Sequence, residues 1–473
     1  MNAHFLKERF WENLSLIGVQ PGSGILLAVS GGPDSMAMLH LFFELKESLD
    51  LRLEVIHINH HLRNGEAEED AQFVQNHSKM LNLPFKLLHF NIFEFALKKR
   101  ISIEMTGHRI RHHFLRRYAK IKRLDYIALA HTASDQAETV FLNVLRGAGP
   151  RGLGGIPLKK DSFIRPLLCF SREEILKYVT EFGIPYRTDS SNANTEYQRN
   201  LVRNELFPLL EKKISRKIQF NLARTAAIFQ EEEKWLEDQI LPHLEKRVRF
   251  LGYGVYELTA APGEFPPALE RRILRKFIQM VIKNLEGVSF DHIESIRKLL
   301  DKRTGKRFTL SDFIIERTTQ GLALSRAFQK MSTVIPVNIP GEIIIEKLKV
   351  VFKTELVGVP IVEERVKIKE MFDEKDRHQT KEQYGFLDFN LLSPPFFIRF
   401  RREGDWFFQP GTAGRKKLQD YFVNKKIPRL LRDKIPLFEA NQEIVWIGGY
   451  AFSEKAMVTS RTTKIMKLSL SHV

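Results

Sequence analysis

The feature that most constrains the fold of this 473-residue chain is a short apolar run followed by small and polar residues. The run Ile25–Val29 has the composition of a buried strand, Ser-Gly-Gly-Pro-Asp-Ser follows at 30–35, and an amphipathic pattern over Ser35–Leu45 predicts a helix. A helix that begins after a glycine turn presents unpaired N–H groups and the positive end of its dipole. The sequence therefore predicts an anion-binding loop at residues 30–35.

The residues of this loop suit a phosphate ligand. Gly31 and Gly32 let the backbone approach an anion closely, and the hydroxyl groups of Ser30 and Ser35 add donors. A carboxylate at Asp34 could hold Mg²⁺ against phosphate oxygens. A simpler interpretation is a β-turn-α connection in which Asp34 only caps the helix. We predict a phosphate site that consists of Ser30, Gly31, Gly32, Pro33, Asp34 and Ser35.

Short apolar runs alternate with amphipathic stretches up to about residue 189. This alternation predicts an α/β fold with a doubly wound parallel sheet, in which ligands bind beyond the carboxyl ends of the strands. Strands are predicted at Ile25–Val29, Leu53–Ile58, Phe85–Phe90 and Tyr126–Ala130, and helices at Ser35–Leu45, Glu66–Leu81, Glu104–Ile121 and Asp135–Leu145.

The rest of the chain has a different pattern. Helical periodicity dominates from Lys213 to Leu300, strand-like alternation returns at Val334–Phe352, and the segment after Leu387 is β-rich with one short basic helix. We therefore predict that a helical domain and a small α+β C-terminal domain follow the α/β domain. The predicted segments are an α/β domain at 1–212, a mainly helical domain at 213–330, a β-containing linker region at 331–386 and a basic C-terminal domain at 387–473.

A second polar cluster follows the fourth predicted strand. His131, Asp135 and Glu138 lie within one to two helical turns, so their side chains can converge beside the phosphate loop. The two carboxylates could bind Mg²⁺ or attract an incoming ammonium group. A capped helix start with acidic residues in its first turn would also explain the cluster. Its position at a strand end beside residues 30–35 favours a functional site.

Two basic segments come next. Residues 145–156 contain five glycines and two arginines, which predicts a mobile basic loop that includes Arg146, Gly147 and Arg151. A plain flexible linker is the alternative. Arg199 and Arg203 are four residues apart, which places them on one face of a helix. We expect these basic residues to face a large anionic substrate.

The charge balance also favours a polyanionic partner. Lysine and arginine total 74 against 57 acidic residues, which gives a net charge of +17 and self-repulsion in the compact state. Residues 391–473 alone carry 15 basic and 7 acidic side chains. Nucleic acid fits this composition, and an anionic membrane surface fits it as well.

The single cysteine and the N-terminal residues indicate the cellular compartment of the protein. Cys169 is the single cysteine, so an intramolecular disulfide and a cluster of cysteine ligands are both excluded, and a reducing compartment is indicated. We expect Cys169 to be a small buried side chain. The first residues lack the apolar segment of a secretory signal, and no stretch approaches the roughly 20 apolar residues of a membrane span. The sequence therefore predicts a cytoplasmic protein.

The order of these motifs resembles the tRNA(Ile)-lysidine synthase family within the PP-loop ATP pyrophosphatase superfamily. Residues 30–35 match the S-G-G-x-D-S signature of the superfamily, and the resemblance covers most of the chain. A segment from Phe397 to Pro428 is similar to the family's C-terminal domain. The further motifs are H-x-N-H-x-x-R at 57–63, H-x-x-x-D-Q-x-E-T at 131–139, R-G-x-G-x-x-G-L-x-G-I at 146–156, I-R-P-L-L at 164–168, D-x-S-N at 189–192 and R-N-x-x-R-N at 199–204.

The resemblance implies a ligase that uses ATP to join free L-lysine to C2 of the first-anticodon cytidine of a CAU-bearing isoleucine tRNA. Lysidine, pyrophosphate and AMP are the implied products, with ATP and Mg²⁺ as implied cofactors. The implied catalytic residues are Asp34, Arg111, Asp135 and Glu138, with His57 and Arg63 near the nucleotide and His131 beside the lysine or base. The implied tRNA contacts in the C-terminal domain are Arg399, Arg401, Arg402, Arg415, Lys416 and Lys417.

Two other functions stay open on the sequence. Ser134 stands where the family has an acid, and His108 and His112 replace an arginine and a tyrosine, so a non-catalytic tRNA-binding or ATP-sensing protein is one alternative. Amidation of a small metabolite is the other, and it predicts ATP turnover without RNA. The sequence also leaves the oligomeric state open, with a homodimer as one option.

Overall fold

The structure, a computed structural model, describes residues 3–59, 66–89, 103–187, 198–283, 285, 287–358, 382–412 and 414–472. The chain folds into two compact units, Met1–Leu236 and Glu237–Val473. Among the residues in these ranges, no helix is long and apolar enough to cross a membrane.

A parallel sheet forms the centre of the first unit. Its strand order is β3-β2-β1-β4-β6-β5, and only β5 runs antiparallel to its neighbour. This arrangement confirms the predicted α/β fold and the four predicted strands. The strands are β1 (Gly24–Ala28), β2 (Arg52–Asn59), β3 (Phe85–His89), β4 (Tyr126–Ala128), β5 (Lys159–Lys160) and β6 (Phe163–Ile164).

Helices cover both faces of this sheet. On one face, Phe10 and Phe42 meet edge to face with ring centroids 5.0 Å apart, whereas Leu26 and Ile56 belong to a separate cluster on the other face. Burial on both faces explains why β1 is apolar throughout rather than alternating. The helices are α1 (Ala3–Ile17), α2 (Pro33–Leu45), α3 (Glu66–Met80), α4 (Ile103–Lys122), α5 (Ala133–Leu145), α6 (Pro150–Leu153), α7 (Arg172–Glu181), α8 (Gln198–Leu201), a π-helical turn (Val202–Leu206), α9 (Phe207–Lys213) and α10 (Ile218–Arg247).

Strand order reverses at β1. The chain goes from β1 to β2 and β3 on one side, and then crosses to β4 and β6 on the other. Crossovers that leave in opposite directions open a crevice beyond the carboxyl ends of the two strands at the reversal. Loop 30–35 after β1 and the residues after β4 therefore border the same crevice.

The second unit begins with a sheet that the helical periodicity did not indicate. Five antiparallel strands in the order β7-β8-β11-β10-β9 pack against α11 and α12, so the segment predicted as mainly helical contains a sheet. These elements are β7 (Val248–Gly252), β8 (Val255–Thr259), α11 (Pro267–Ile282), α12 (Phe290–Leu299), β9 (Arg307–Leu310), β10 (Phe313–Arg317) and β11 (Gly321–Arg326).

Residues 331–358 do not form a linker distinct from the C-terminal part. Strand β14 pairs with β22 from Val350–His472 to Gly358–Lys464, and the sheet order is β13-β14-β22-β15. Backbone pairing thus joins residues on both sides of the predicted boundary at 386 in one sheet. The strands are β12 (Ile335–Pro336), β13 (Gly341–Ile345), β14 (Val350–Gly358), β15 (Glu382–Asp388) and β22 (Lys464–His472).

The other C-terminal elements form a five-stranded sheet, a hairpin and two short helices. The sheet has the order β12-β16-β19-β20-β21, and β17 pairs with β18. The elements are β16 (Phe397–Arg399), β17 (Trp406–Phe408), β18 (Arg415–Lys417), α13 (Leu418–Asn424), α14 (Arg429–Arg432), β19 (Leu437–Ala440), β20 (Glu443–Ile447) and β21 (Ala451–Phe452).

Candidate active site

The hydroxyl of Ser35 organises the phosphate loop. Its Oγ accepts the backbone N–H of Ser30 at 3.2 Å and that of Gly31 at 3.1 Å, and it donates to the Gly32 carbonyl at 2.9 Å. Gly31 has φ +96°, a conformation that a side chain would strain. Ser35 therefore shapes the loop from within, and the exposed Ser30 is the hydroxyl nearer solvent.

Asp34 stands in the first turn of α2 with one carboxylate oxygen unpaired. Gly32 is the N-cap and has no side-chain cap, Pro33 follows, and Oδ1 of Asp34 is buried without a hydrogen-bond partner among the described residues. Burial, followed by the charge of Asp135, raises the pKa of Asp34 to about 6. A buried oxygen without a donor at an anion-binding helix start fits Mg²⁺ held together with phosphate.

His57 borders the crevice from β2. Its Nδ1 lies 2.8 Å from the carbonyl oxygen of Val29, so Nδ1 carries the proton and Nε2 is an acceptor. The ring is buried, and burial lowers the pKa of His57. His57 is thus a neutral side chain beside the phosphate loop. Arg63, its predicted companion, lies outside the described residues.

The residues after β4 form a capped helix start that is also polar and buried. The Thr132 N–H donates to Asp135 Oδ2 at 2.8 Å, which holds this carboxylate at the start of α5. Nδ1 of His131 is buried and has no hydrogen-bond partner among the residues that the structure describes. Burial lowers the pKa of His131 to about 4, with further lowering by the charges of Arg165, Arg199 and Arg111.

Two carboxylates of α5 bind two arginines of the segment 198–206. Arg199 Nε lies 2.7 Å from Glu138 Oε2, and Arg203 Nε lies 2.5 Å from Glu138 Oε1. Asp135 Oδ1 is 3.2 Å from Nη2 of Arg199 and 3.1 Å from Nη2 of Arg203. The side chain of Glu138 is only 1% exposed. Arg199 and Arg203, predicted to face the large substrate, thus lie at the predicted catalytic carboxylates.

This cluster determines the protonation of its members. Burial alone would raise the pKa of Asp135, but the charges of Arg199 and Arg203 and the Thr132 N–H outweigh it and hold that pKa below its usual range. Asp135 is therefore an ionised carboxylate, suited to orienting a cation more than to accepting a proton.

The glycine-rich segment is anchored at its second half. The Gln136 side chain accepts the Ile156 N–H at 2.6 Å and donates to the Ile156 carbonyl at 3.0 Å, and Gln230 donates to that carbonyl at 2.8 Å. Gly155 has φ +60° and leaves no room for a Cβ against Gln136. Arg146 and Arg151, in the first half, are exposed.

Two further arginines lie near the crevice, and only one of them, Arg111, was predicted from the sequence as a site residue. Arg111, on α4, is exposed and lies close enough for its charge to lower the pKa of His131. Arg165, which follows β6, is 6% exposed and was not singled out from the sequence. The I-R-P-L-L motif was the signal that could have found it, because an arginine within an apolar run is costly to bury without an anion.

Arg399 is a structural residue, and its prediction as a tRNA contact is wrong for this structure. Its guanidinium is 7% exposed and makes ion pairs with Asp405 at 2.8 Å and Glu439 at 2.5 Å. Arg401 is half-buried and pairs with Asp433 at 2.9 Å. Arg402 is exposed, and it lines a cavity of about 400 Å³ with Lys330, Arg401 and Lys417.

The hairpin of β17 and β18 places basic side chains on aromatic rings. The Arg415 guanidinium lies 3.8 Å from the centroid of a Trp406 ring, and Lys455 Nζ lies 4.1 Å from that of Phe408. Lys417 is exposed and Lys416 is partly buried, whereas Phe407 is fully buried in the core. Arg415, Lys417, Trp406 and Phe408 form an accessible basic and aromatic surface.

Cys169 is exposed, so the expectation of a buried side chain is wrong. Its Sγ lies 2.8 Å from Nδ2 of Asn13, and Arg9 donates to its backbone carbonyl at 2.8 Å. The reason is its position in the turn between β6 and α7, where the apolar neighbours Leu168 and Phe170 fill the core instead.

The sheet order, the phosphate loop and the polar crevice define a PP-loop nucleotide enzyme, and residues 6–210 match the model of the PP-loop domain. Residues 396–470 match the TilS substrate C-terminal domain. The chain belongs to the tRNA(Ile)-lysidine synthase family. It is 34% identical over 452 residues to the tRNA(Ile)-lysidine synthase of Caldanaerobacter subterraneus subsp. tengcongensis, covering 95% of this chain and 94% of that protein. It is 31% identical over 458 residues to that of Clostridium tetani, covering 96% and 95%.

Proposed function

We propose that the protein is an ATP-dependent ligase that forms lysidine on isoleucine tRNA with a CAU anticodon. The observation that carries the proposal is the buried carboxylate oxygen of Asp34, which no described residue pairs, at the start of α2 on the crevice that α5 also borders. Family membership supports the choice of tRNA as the activated substrate.

In the first step, the C2 carbonyl oxygen of the cytidine attacks the α-phosphorus of ATP. An O–P bond forms, the bond from the α-phosphorus to the bridging oxygen breaks, and pyrophosphate leaves. Loop 30–35 and the N-terminus of α2 hold the phosphates, with His57 and Arg63 near the nucleotide and Arg111 as a fixed cation for a phosphate. Asp34 would hold Mg²⁺ against the phosphate oxygens, and that ion supplies charge stabilisation for the leaving pyrophosphate.

In the second step, the ε-amine of lysine attacks C2. One ammonium proton passes to water and frees the lone pair, a C–N bond forms between the amine and C2, and the C2–O bond breaks so that AMP leaves with that oxygen. We assign Asp135 and Glu138 to this ammonium, with His131 beside the base. Both carboxylates lie between arginines, which supports orientation of the ammonium as their main contribution.

The C-terminal unit is proposed to hold the tRNA body. The proposed contacts are the exposed Arg402, Arg415 and Lys417, Arg401 at the cavity described above, and the partly buried Lys416 on the same hairpin. Arg146 and Arg151 add exposed positive charge beside the active site. The reaction is assigned to the cytoplasm, and a homodimer is the assembly to test by mass measurement.

Pyrophosphate release from ATP tests the proposal. We expect release that depends on isoleucine tRNA carrying CAU and that continues to lysidine when lysine is added. Release without RNA would favour amidation of a small metabolite. ATP and tRNA binding without release would favour a non-catalytic protein.

A further inference from the structure

Arg165 is a buried cation with no carboxylate partner in the part of the chain that the structure describes. Its Nη1 donates to the Pro157 carbonyl at 3.0 Å, and its buried Nε has no hydrogen-bond partner in that part of the chain. Within the described residues, no ion pair includes Arg165. The side chain is 6% exposed, and burial lowers its pKa to about 10. A charge that is buried without a counter-ion destabilises the fold unless a ligand supplies the opposite charge.

Arg165 lies on the far side of the crevice from the nucleotide loop. It directly follows β6, and β6 pairs with β4, which separates it from β1. Two strand spacings amount to roughly 10 Å. The charge of Arg165 acts on His131, which follows β4. Arg165 therefore belongs with the residues assigned to the acceptor side, and the phosphates lie at β1 and α2.

We propose that Arg165 binds the α-carboxylate of the free amino acid that attacks the activated base. This inference rests on the proposed function. A zwitterionic amino acid needs a cation as well as the carboxylates Asp135 and Glu138, and a guanidinium matches a carboxylate with two parallel N–H groups. The assignment explains why an arginine is buried here without a protein counter-ion.

A diamine that lacks the carboxylate tests this assignment. Lysine and 1,5-diaminopentane are compared as acceptors in lysidine-type transfer at saturating ATP and tRNA, for the unmodified protein, Arg165→Gln and Arg165→Lys. Where the diamine only inhibits, its inhibition constant replaces its KM. We expect Arg165→Gln to raise the KM for lysine about 10- to 100-fold, as loss of a charged hydrogen bond predicts. The KM or inhibition constant for the diamine and the KM for ATP should each change less than about threefold.

Two controls keep the outcome interpretable. Arg165→Lys keeps the charge and should recover part of the lysine affinity, and Arg116→Gln removes an exposed arginine paired with Asp161 and should change nothing. An equal loss for lysine and the diamine, or a matching rise in the KM for ATP, would overturn the proposal. Failure of the underlying function is seen separately, as absence of tRNA-dependent pyrophosphate release before lysine is added.

Discussion

Arg199 Nε donates to Glu138 Oε2 at 2.7 Å although 61 residues separate the two in sequence. Arg203 binds the other oxygen of the same buried carboxylate. Because one side chain on α5 binds both arginines, Glu138 holds the segment 198–206 and is also one of the carboxylates assigned to the proposed lysine site. The structural role and the proposed chemical role need separate measurements.

Replacement of Glu138 by glutamine should affect the second step more than the first. We expect lysine transfer to fall about 100-fold, as loss of a group that handles a proton or ammonium predicts, with pyrophosphate release within tenfold. The free energy of unfolding should fall by about 3 kcal/mol, because two arginines lose a buried partner. Single-turnover kinetics and denaturant unfolding measure both effects. Glu205→Gln, at an exposed position nearby, is the control, and equal slowing of both steps would show a structural role alone.

Asp34→Asn should abolish adenylation without unfolding the protein. We expect pyrophosphate release to fall about 1,000-fold, because metal-ion charge stabilisation is worth several kcal/mol, with tRNA affinity within a few-fold. Since the folded-state pKa of Asp34 is raised, the ionised form destabilises the fold at neutral pH, and the amide should raise the melting temperature. Turnover that persists in this variant would refute the metal-holding role.

Neutralising the hairpin should weaken RNA binding through phosphate contacts. The triple variant Arg415→Gln, Lys416→Gln, Lys417→Gln should lower the slope of log affinity against log salt by about 2 to 3, because each phosphate contact contributes about 0.9. Titration of labelled tRNA at several salt concentrations measures this slope. An unchanged slope would show that the hairpin does not contact the RNA.

Substitutions of Arg399 and Arg402 should have different effects, the first on stability and the second on RNA binding. Loss of the Arg399 side chain leaves Asp405 and Glu439 largely buried and unpaired. Arg399→Gln should therefore lower the free energy of unfolding by about 3 to 5 kcal/mol and leave the salt slope unchanged. Arg402→Gln, at an exposed position, should lower the salt slope of tRNA binding and leave the free energy of unfolding unchanged. Denaturant unfolding and salt titration of tRNA binding measure both effects. A stability loss in Arg402→Gln together with a lower salt slope in Arg399→Gln would contradict this assignment.

Lys434 should make stability depend on alkaline pH. It is 4% exposed, and burial lowers its pKa to about 8. Between pH 8 and about 10 the unfolded chain keeps a proton that the folded chain has lost, so the free energy of unfolding rises over this range. Lys434→Met should be more stable at pH 7 by about 1 to 3 kcal/mol, and the difference should shrink towards pH 10. A difference that does not vary with pH would exclude this titration.

The first unit was predictable because its signals are local. The run before Ser30, the glycine turn and the helix start with Asp34 are adjacent in sequence, and the alternation of such runs with amphipathic stretches indicates the parallel sheet, although it does not determine the strand order. The pairing of Arg199 with Glu138 depends on how distant segments pack, which periodicity does not report. The same limit applies to Arg399. Its sequence context suggests a surface charge, and only the folded structure places Glu439 beside it. Strands β7 and β8 were missed since their short runs lie between α10 and α11, whose helical periodicity is much stronger, and β9–β11 were missed as short runs directly after α12.

The reversal of strand order at β1 also has a consequence for evolution and engineering. Most groups assigned to ATP follow β1 or lie on β2, with Arg111 of α4 as the exception, whereas the groups assigned to the acceptor follow β4 and β6. One contiguous stretch of the gene, residues 24–59, therefore encodes much of the activating half, and later stretches encode what is activated. We therefore expect that variation of the codons after residue 128 changes the acceptor while the residues assigned to ATP stay constant.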